Sequence, residues 1–79
     1  MHLVSTSSHS PLAVFEHFED AEAYLCSAEN VSLRHSCIEP TKHSPAVHRV
    51  YVESYPGYPE KTLGYIRSGV VINPDYNVR

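Results

Sequence analysis

Between residues 18 and 29 the apolar side chains Phe18, Ala21, Leu25 and Ala28 recur at i, i+3, i+7 and i+10. At 3.6 residues per turn this spacing puts them on one face, and it predicts an amphipathic helix over 18–29. Glu19, Asp20 and Glu22 stand in its first turns, where negative charge complements the helix dipole. Asn30 tolerates the left-handed conformation that ends a helix, and Val31 is placed to pack back on the last turn.

The rest of the chain alternates with a period of two. Residues 2–6 and 12–15 read as short strands joined by the polar, turn-like stretch STSSHSP. Residues 31–38 alternate, with Val31, Leu33, His35 and Cys37 on one side, and predict a half-buried strand. Pro40 and Pro45 make 39–46 a loop. Residues 47–55, VHRVYVESY, are rich in β-branched and aromatic residues and form the strongest strand signal. Pro56, Gly57 and Pro59 break it, and 62–68 returns as the partner of a hairpin. Gly69 permits a bend or bulge before Val70, Val71 and Ile72. The expected order is ββαβββ: a small antiparallel sheet with one helix across one face, an α+β fold. Either Val50 and Val52 or the opposite face with Val47 and Tyr51 completes the core, and the pattern leaves that choice open. The strand at 62–68, if it lies at an edge, offers itself to a second copy for a homodimer.

Seventy-nine residues suffice for one domain, 1–79, with 73–79 a loose polar tail after Pro74. At 42% hydrophobic and 19% charged residues the chain has the chemistry of a folded domain rather than of disorder. A formal net charge of −3 is neither the basic excess of a nucleic-acid binder nor the strong acidity of a DNA mimic. Residues 1–10 hold no cationic start with an apolar stretch behind it, and no segment approaches the roughly 20 apolar residues of a membrane span. The expected location is the cytoplasm, away from membranes, with Cys26 and Cys37 as reduced thiols.

Cysteine and histidine raise the question of a metal. Cys26, His35, Cys37 and His43 are candidate zinc ligands, but they form no C-x-x-C knuckle. His43 and His48 approach a His pair, yet Pro45 lies between them and prevents a helical turn. Burial accounts for the cysteines equally well, so the expectation is no metal and no cofactor, with this set as the alternative. Cys37 and His35 lack a third orienting group, and the chain has no G-x-S-x-G elbow or phosphate-cradling glycine loop. Glu16, Glu19 and Glu22 read as a solvated helix face. No catalytic residues are assigned, and the chain is not expected to be an enzyme.

Tyrosine and arginine point to binding. Arg49, Tyr51 and Tyr55 project from one side of their strand, and Tyr65 and Arg67 from one side of the next. These residue types supply interface hot spots. Tyr58 stands in the stiff turn YPGYP, a form suited to an epitope. Glu19, Asp20 and Glu22 could complement a basic partner. The reading is a non-catalytic module that binds a protein partner. Two alternatives stand beside it: a zinc-binding regulatory domain on Cys26, His35, Cys37 and His43, and stacking of single-stranded nucleic acid on an aromatic sheet face, which the negative charge disfavours.

The segment VFEHFEDAEAYLCSAENV, residues 14–31, carries Phe15, Glu19, Ala21 and Tyr24 in an F-x-x-x-E-x-A-x-x-[YL] spacing. It resembles the strand-into-helix layout of small phage and bacterial accessory proteins, anti-CRISPR inhibitors among them. The resemblance implies a stoichiometric inhibitor of a macromolecular complex in a host cytoplasm. It transfers no functional residue.

Overall fold

The helix α1, Phe18–Ala28, begins where the sequence expects and carries Glu19 and Asp20 in its first turn. Its end is a full Schellman motif. Asn30 takes φ +56°, its N–H donates to Ser27 O at 3.2 Å, and the Val31 N–H donates to Cys26 O at 2.8 Å. Val31 then packs half-buried against the core. The buried stripe is Ala21, Leu25 and Cys26, with Phe18 partly buried beside it. Ala28, expected on that stripe, is exposed, and Cys26 takes the inward position in the final turns.

The computed structural model describes residues 1–53, 60–73, 75 and 78. The expectations for Tyr55, Tyr58, the turn around Gly57 and tail residues 74, 76, 77 and 79 lie outside the described residues. The strands are β1 (His2–Ser5), β2 (Pro11–Phe15), β3 (Ser36–Pro40), β4 (Val47–Val52) and β5 (Lys61–Ser68). They form one antiparallel sheet in the order β2-β1-β5-β4-β3, with α1 between β2 and β3 in the chain. β2 and β3 are the two edges, so the helix is the connection that crosses the sheet. It packs on β1, β2 and β5. The fold is therefore α+β, with one helix on a five-stranded sheet.

Three expectations change. Residues 31–35 are not strand: Leu33–His35 is a 3-10 turn, with Ser32 Oγ accepting from the Arg34 N–H at 3.3 Å. The local serine cap and the Schellman turn before it outweigh the alternating pattern, which carries weight only where a neighbouring strand supplies a ladder. Strand β3 starts at Ser36 and runs through Pro40, a residue tolerated because β3 is an edge strand. Strand β5, offered above as an edge for a second copy, lies at the centre between β1 and β4.

The choice of buried face is resolved by β4 and β5. Val50 is opposite Gly64, His48 opposite Ile66, and Ile66 opposite Val4, all on the helix side. Val4, Val50 and Ile66 have no exposed surface. Burying each contributes about 1.5–3 kcal/mol of transfer free energy. Between Val50 and Tyr51 the register shifts, so that Leu63 is the extra residue of a bulge and joins the core.

Candidate functional site

Alternation along β4 and β5 sends the complementary set to the other face of the sheet. Arg49 is opposite Tyr65, and Val47 opposite Arg67. Tyr51 follows on β4, with Cys37 of β3 across from it and Glu39 across from Arg49. The helix covers none of these side chains. Arg49, Tyr51 and Tyr65 are half-buried and Arg67 is exposed.

Arg49 is fully engaged. Its Nε lies 2.8 Å and its Nη2 2.6 Å from Glu39 Oε1, while Nη2 also donates to Glu60 Oε2 at 2.8 Å. Nη1 donates to Thr62 Oγ1 at 3.2 Å. The guanidinium carbon sits 4.1 Å from the centroid of the Tyr51 ring, a cation–π contact. The hydrogen bond to Glu60 and the second carboxylate at Glu39 outweigh burial and raise the Arg49 pKa, so it remains charged. The Tyr51 phenol is also held above its ordinary value, first by burial and then by Glu39, Cys37 and Glu60, against the opposing charge of Arg49, which keeps its O–H a donor.

Two turns build walls beside this face. In the β1–β2 turn the Thr6 N–H donates to Ser10 O at 2.8 Å and the His9 N–H to Thr6 O at 2.9 Å. His9 takes φ +68°, a left-handed position that histidine adopts more readily than most residues. The turn lays the imidazole on Tyr65, ring centroids 4.4 Å apart and planes 19° from parallel. In the β3–β4 turn Thr41 Oγ1 donates to Ser44 O at 2.8 Å, and the Ser68 N–H of β5 donates to Ala46 O at 2.8 Å. This turn holds Lys42 and His43, both exposed. Between the turns lies an open groove of about 480 Å³, lined by His9, Lys42, His43, Arg49, Tyr65 and Arg67 among others.

The proposed metal ligands are not brought together. Cys26 is buried between helix and sheet, where desolvation raises its pKa against the opposing hydrogen bond from Ser36. Cys37 lies on the groove face of β3, His35 is exposed on the 3-10 turn, and His43 is on the groove wall. Among the described residues no three His, Cys, Asp or Glu side chains are arranged to hold a metal ion. The geometric reason is that Cys26 and Cys37 face opposite sides of the sheet.

The acidic set of the helix is divided. Glu22 accepts a hydrogen bond from Ser36 Oγ at 2.6 Å and ties α1 to the start of β3, whereas Glu19 and Asp20 are exposed. Sequence reasoning missed His9 and Lys42 as neighbours of Tyr65 and Arg67 at the groove. Both stand in polar turns, where no periodic pattern marks a functional side chain. Among the described residues no helix is long and apolar enough to cross a membrane. No protein-family model, curated protein or solved structure matches this chain.

Proposed function

We propose that this chain is a non-catalytic binding module that engages a protein partner stoichiometrically, as an inhibitor or adaptor does, through the sheet face opposite the helix. The observation that carries the reading is the groove: tyrosine and arginine side chains that could have formed the core instead line an open concavity on the face away from α1. Tyr65, Arg67 and Tyr51 are the contact residues. Arg49, held by Glu39, Glu60 and Thr62, is a positioning residue that braces Tyr51 from one side. Hot spots of this composition sit where rigid aromatic surface is fixed before binding, because less side-chain freedom is then lost.

The test is partner capture with the tagged full chain, followed by affinity measurement on purified variants. Tyr65→Ala and Arg67→Ala are each expected to cost about 2 kcal/mol of binding, roughly 30-fold, as hot-spot truncations do. Glu19→Ala and Asp20→Ala, on the helix layer, are expected to leave affinity unchanged. The opposite pattern moves the interface to the helix and overturns the reading.

A further inference from the structure

We infer that the groove takes carboxylate side chains from an extended acidic segment of the partner; this rests on the reading of the groove face as the binding surface and adds the chemistry of what it recognises. The charge distribution is the first argument. The chain is net negative at −3, yet three of its six lysines and arginines, Lys42, Arg49 and Arg67, line this one groove. Among the described residues a single carboxylate, Glu39, lines it with them; Arg49 is bound by both Glu39 and Glu60, so the free positive charge of the groove is that of Lys42 and Arg67. Lys42 and Arg67 have no ion-pair partner among the described residues, and both are exposed. His9 and His43 add ring nitrogens to the same walls. Cations left unpaired in a concavity, on a chain of opposite net charge, concentrate a positive potential there and attract a negative ligand.

The second argument separates a peptide from nucleic acid. Base stacking needs an open aromatic face. Tyr65 has one face occupied by His9, and Tyr51 has one face occupied by the Arg49 guanidinium. Tyr65 is thus braced as part of the groove wall, where its edge and phenol group suit hydrogen bonding to a carboxylate, and Tyr51 is braced beside the groove by Arg49. The third argument concerns phosphate. Phosphate sites recruit clustered main-chain N–H groups. Here the N–H groups of Val47 and Ser68 already donate to Ser44 O and Ala46 O, and that of Thr41 donates to Val47 O. Charge recognition is left to separate side-chain cations, a pattern that fits successive monoanionic carboxylates.

The experiment titrates the full chain with fluorescent octaglutamate at low and physiological ionic strength, and maps amide shifts by NMR. Octaglutamine, a phosphoserine peptide and oligothymidylate serve as competing probes. The expected result is octaglutamate binding that shifts Lys42, Tyr65 and Arg67, weakens with salt, and falls about tenfold in both Arg67→Gln and Lys42→Gln, the loss of one charge-assisted contact each. Equal binding of octaglutamine, tighter binding of the phosphopeptide or oligothymidylate, or shifts confined to other surfaces would overturn it. The two levels of the proposal separate cleanly. If Tyr65→Ala weakens partner binding but octaglutamate leaves the groove untouched, only the acidic-segment inference fails. If no groove variant affects the partner, the reading of the face itself fails.

Discussion

Gly64 shows how one residue without a side chain sets the distance between two layers. A Cβ at that position would come within 2.6 Å of Leu25 Cδ2 and closer still to the carbonyl oxygen of Ser5. The leucine could swing aside, but the main chain of β1 could not do so without breaking its pairing with β5. Gly64→Ala is therefore expected to destabilise the fold by about 1–3 kcal/mol, the usual cost of overpacking. Urea unfolding checks this, and an unchanged midpoint would mean that β1 and β5 have room to separate. Arg49 makes the same point for polar residues. From the sequence it reads as a free hot-spot arginine, whereas its donors are taken by Glu39, Glu60 and Thr62. Nothing in its local sequence signals this, because its partners come from β3, from the residue before β5 and from β5 itself.

At the scale of elements, the helix was the most legible part of the chain. Its apolar spacing, its acidic start and its Asn30 terminator are local properties, and local hydrogen bonds realise them. Asn30 offers a direct test. With φ at +56°, Asn30→Ala is expected to cost about 1 kcal/mol, since the short polar side chain of asparagine tolerates the left-handed region better than the methyl group of alanine, whereas Asn30→Gly, which removes the Cβ altogether, is expected to be neutral or slightly stabilising. Thermal denaturation of the two variants discriminates them, and equal melting temperatures would remove the conformational explanation. The segment 31–38 was legible only in its second half. Its alternation is genuine, but among the described residues no strand pairs with Leu33–His35, and a strand pattern without a ladder yields to a local serine cap.

The whole molecule is held together by contacts between its sequence ends. β1 pairs with β5, so residues 2–5 and 65–68 lie side by side. His2 is part of that seam: its Nδ1 shares a 3.0 Å hydrogen bond with Ser68 Oγ, and its ring meets Phe18 of α1 edge-on, centroids 5.6 Å apart. Phe18 in turn meets His48 of β4 in the same manner. Burial, then the nearby N-terminal ammonium, lower the His2 pKa below its ordinary 6.5, with Glu19 acting in the opposite sense. The fold prefers this imidazole neutral, while the unfolded chain takes up a proton at 6.5. Its contribution to stability is thus complete above pH 6.5 and is lost as pH falls through the lower folded value. The expected outcome is a denaturation midpoint that declines from pH 7.5 to pH 5, with a shallower decline in His2→Gln. Parallel curves for the two proteins would show that His2 is not linked to folding.

By itself the sequence determined what depends on near neighbours. It set the helix and its terminator, most strand segments and the α+β class. It also placed Arg49 and Tyr51, and Tyr65 and Arg67, on common sides of their strands, because alternation is built into extended backbone. Only the tertiary structure decided which side is buried. The helix packs on the face of Val50 and Ile66, where Gly64 leaves room for Leu25. It likewise decided that Cys26 and Cys37 face apart, that β5 is central rather than an edge, and that His9 and Lys42 stand beside Tyr65 and Arg67 at one groove. Those outcomes depend on strand order, and strand order is set by packing between segments far apart in the chain.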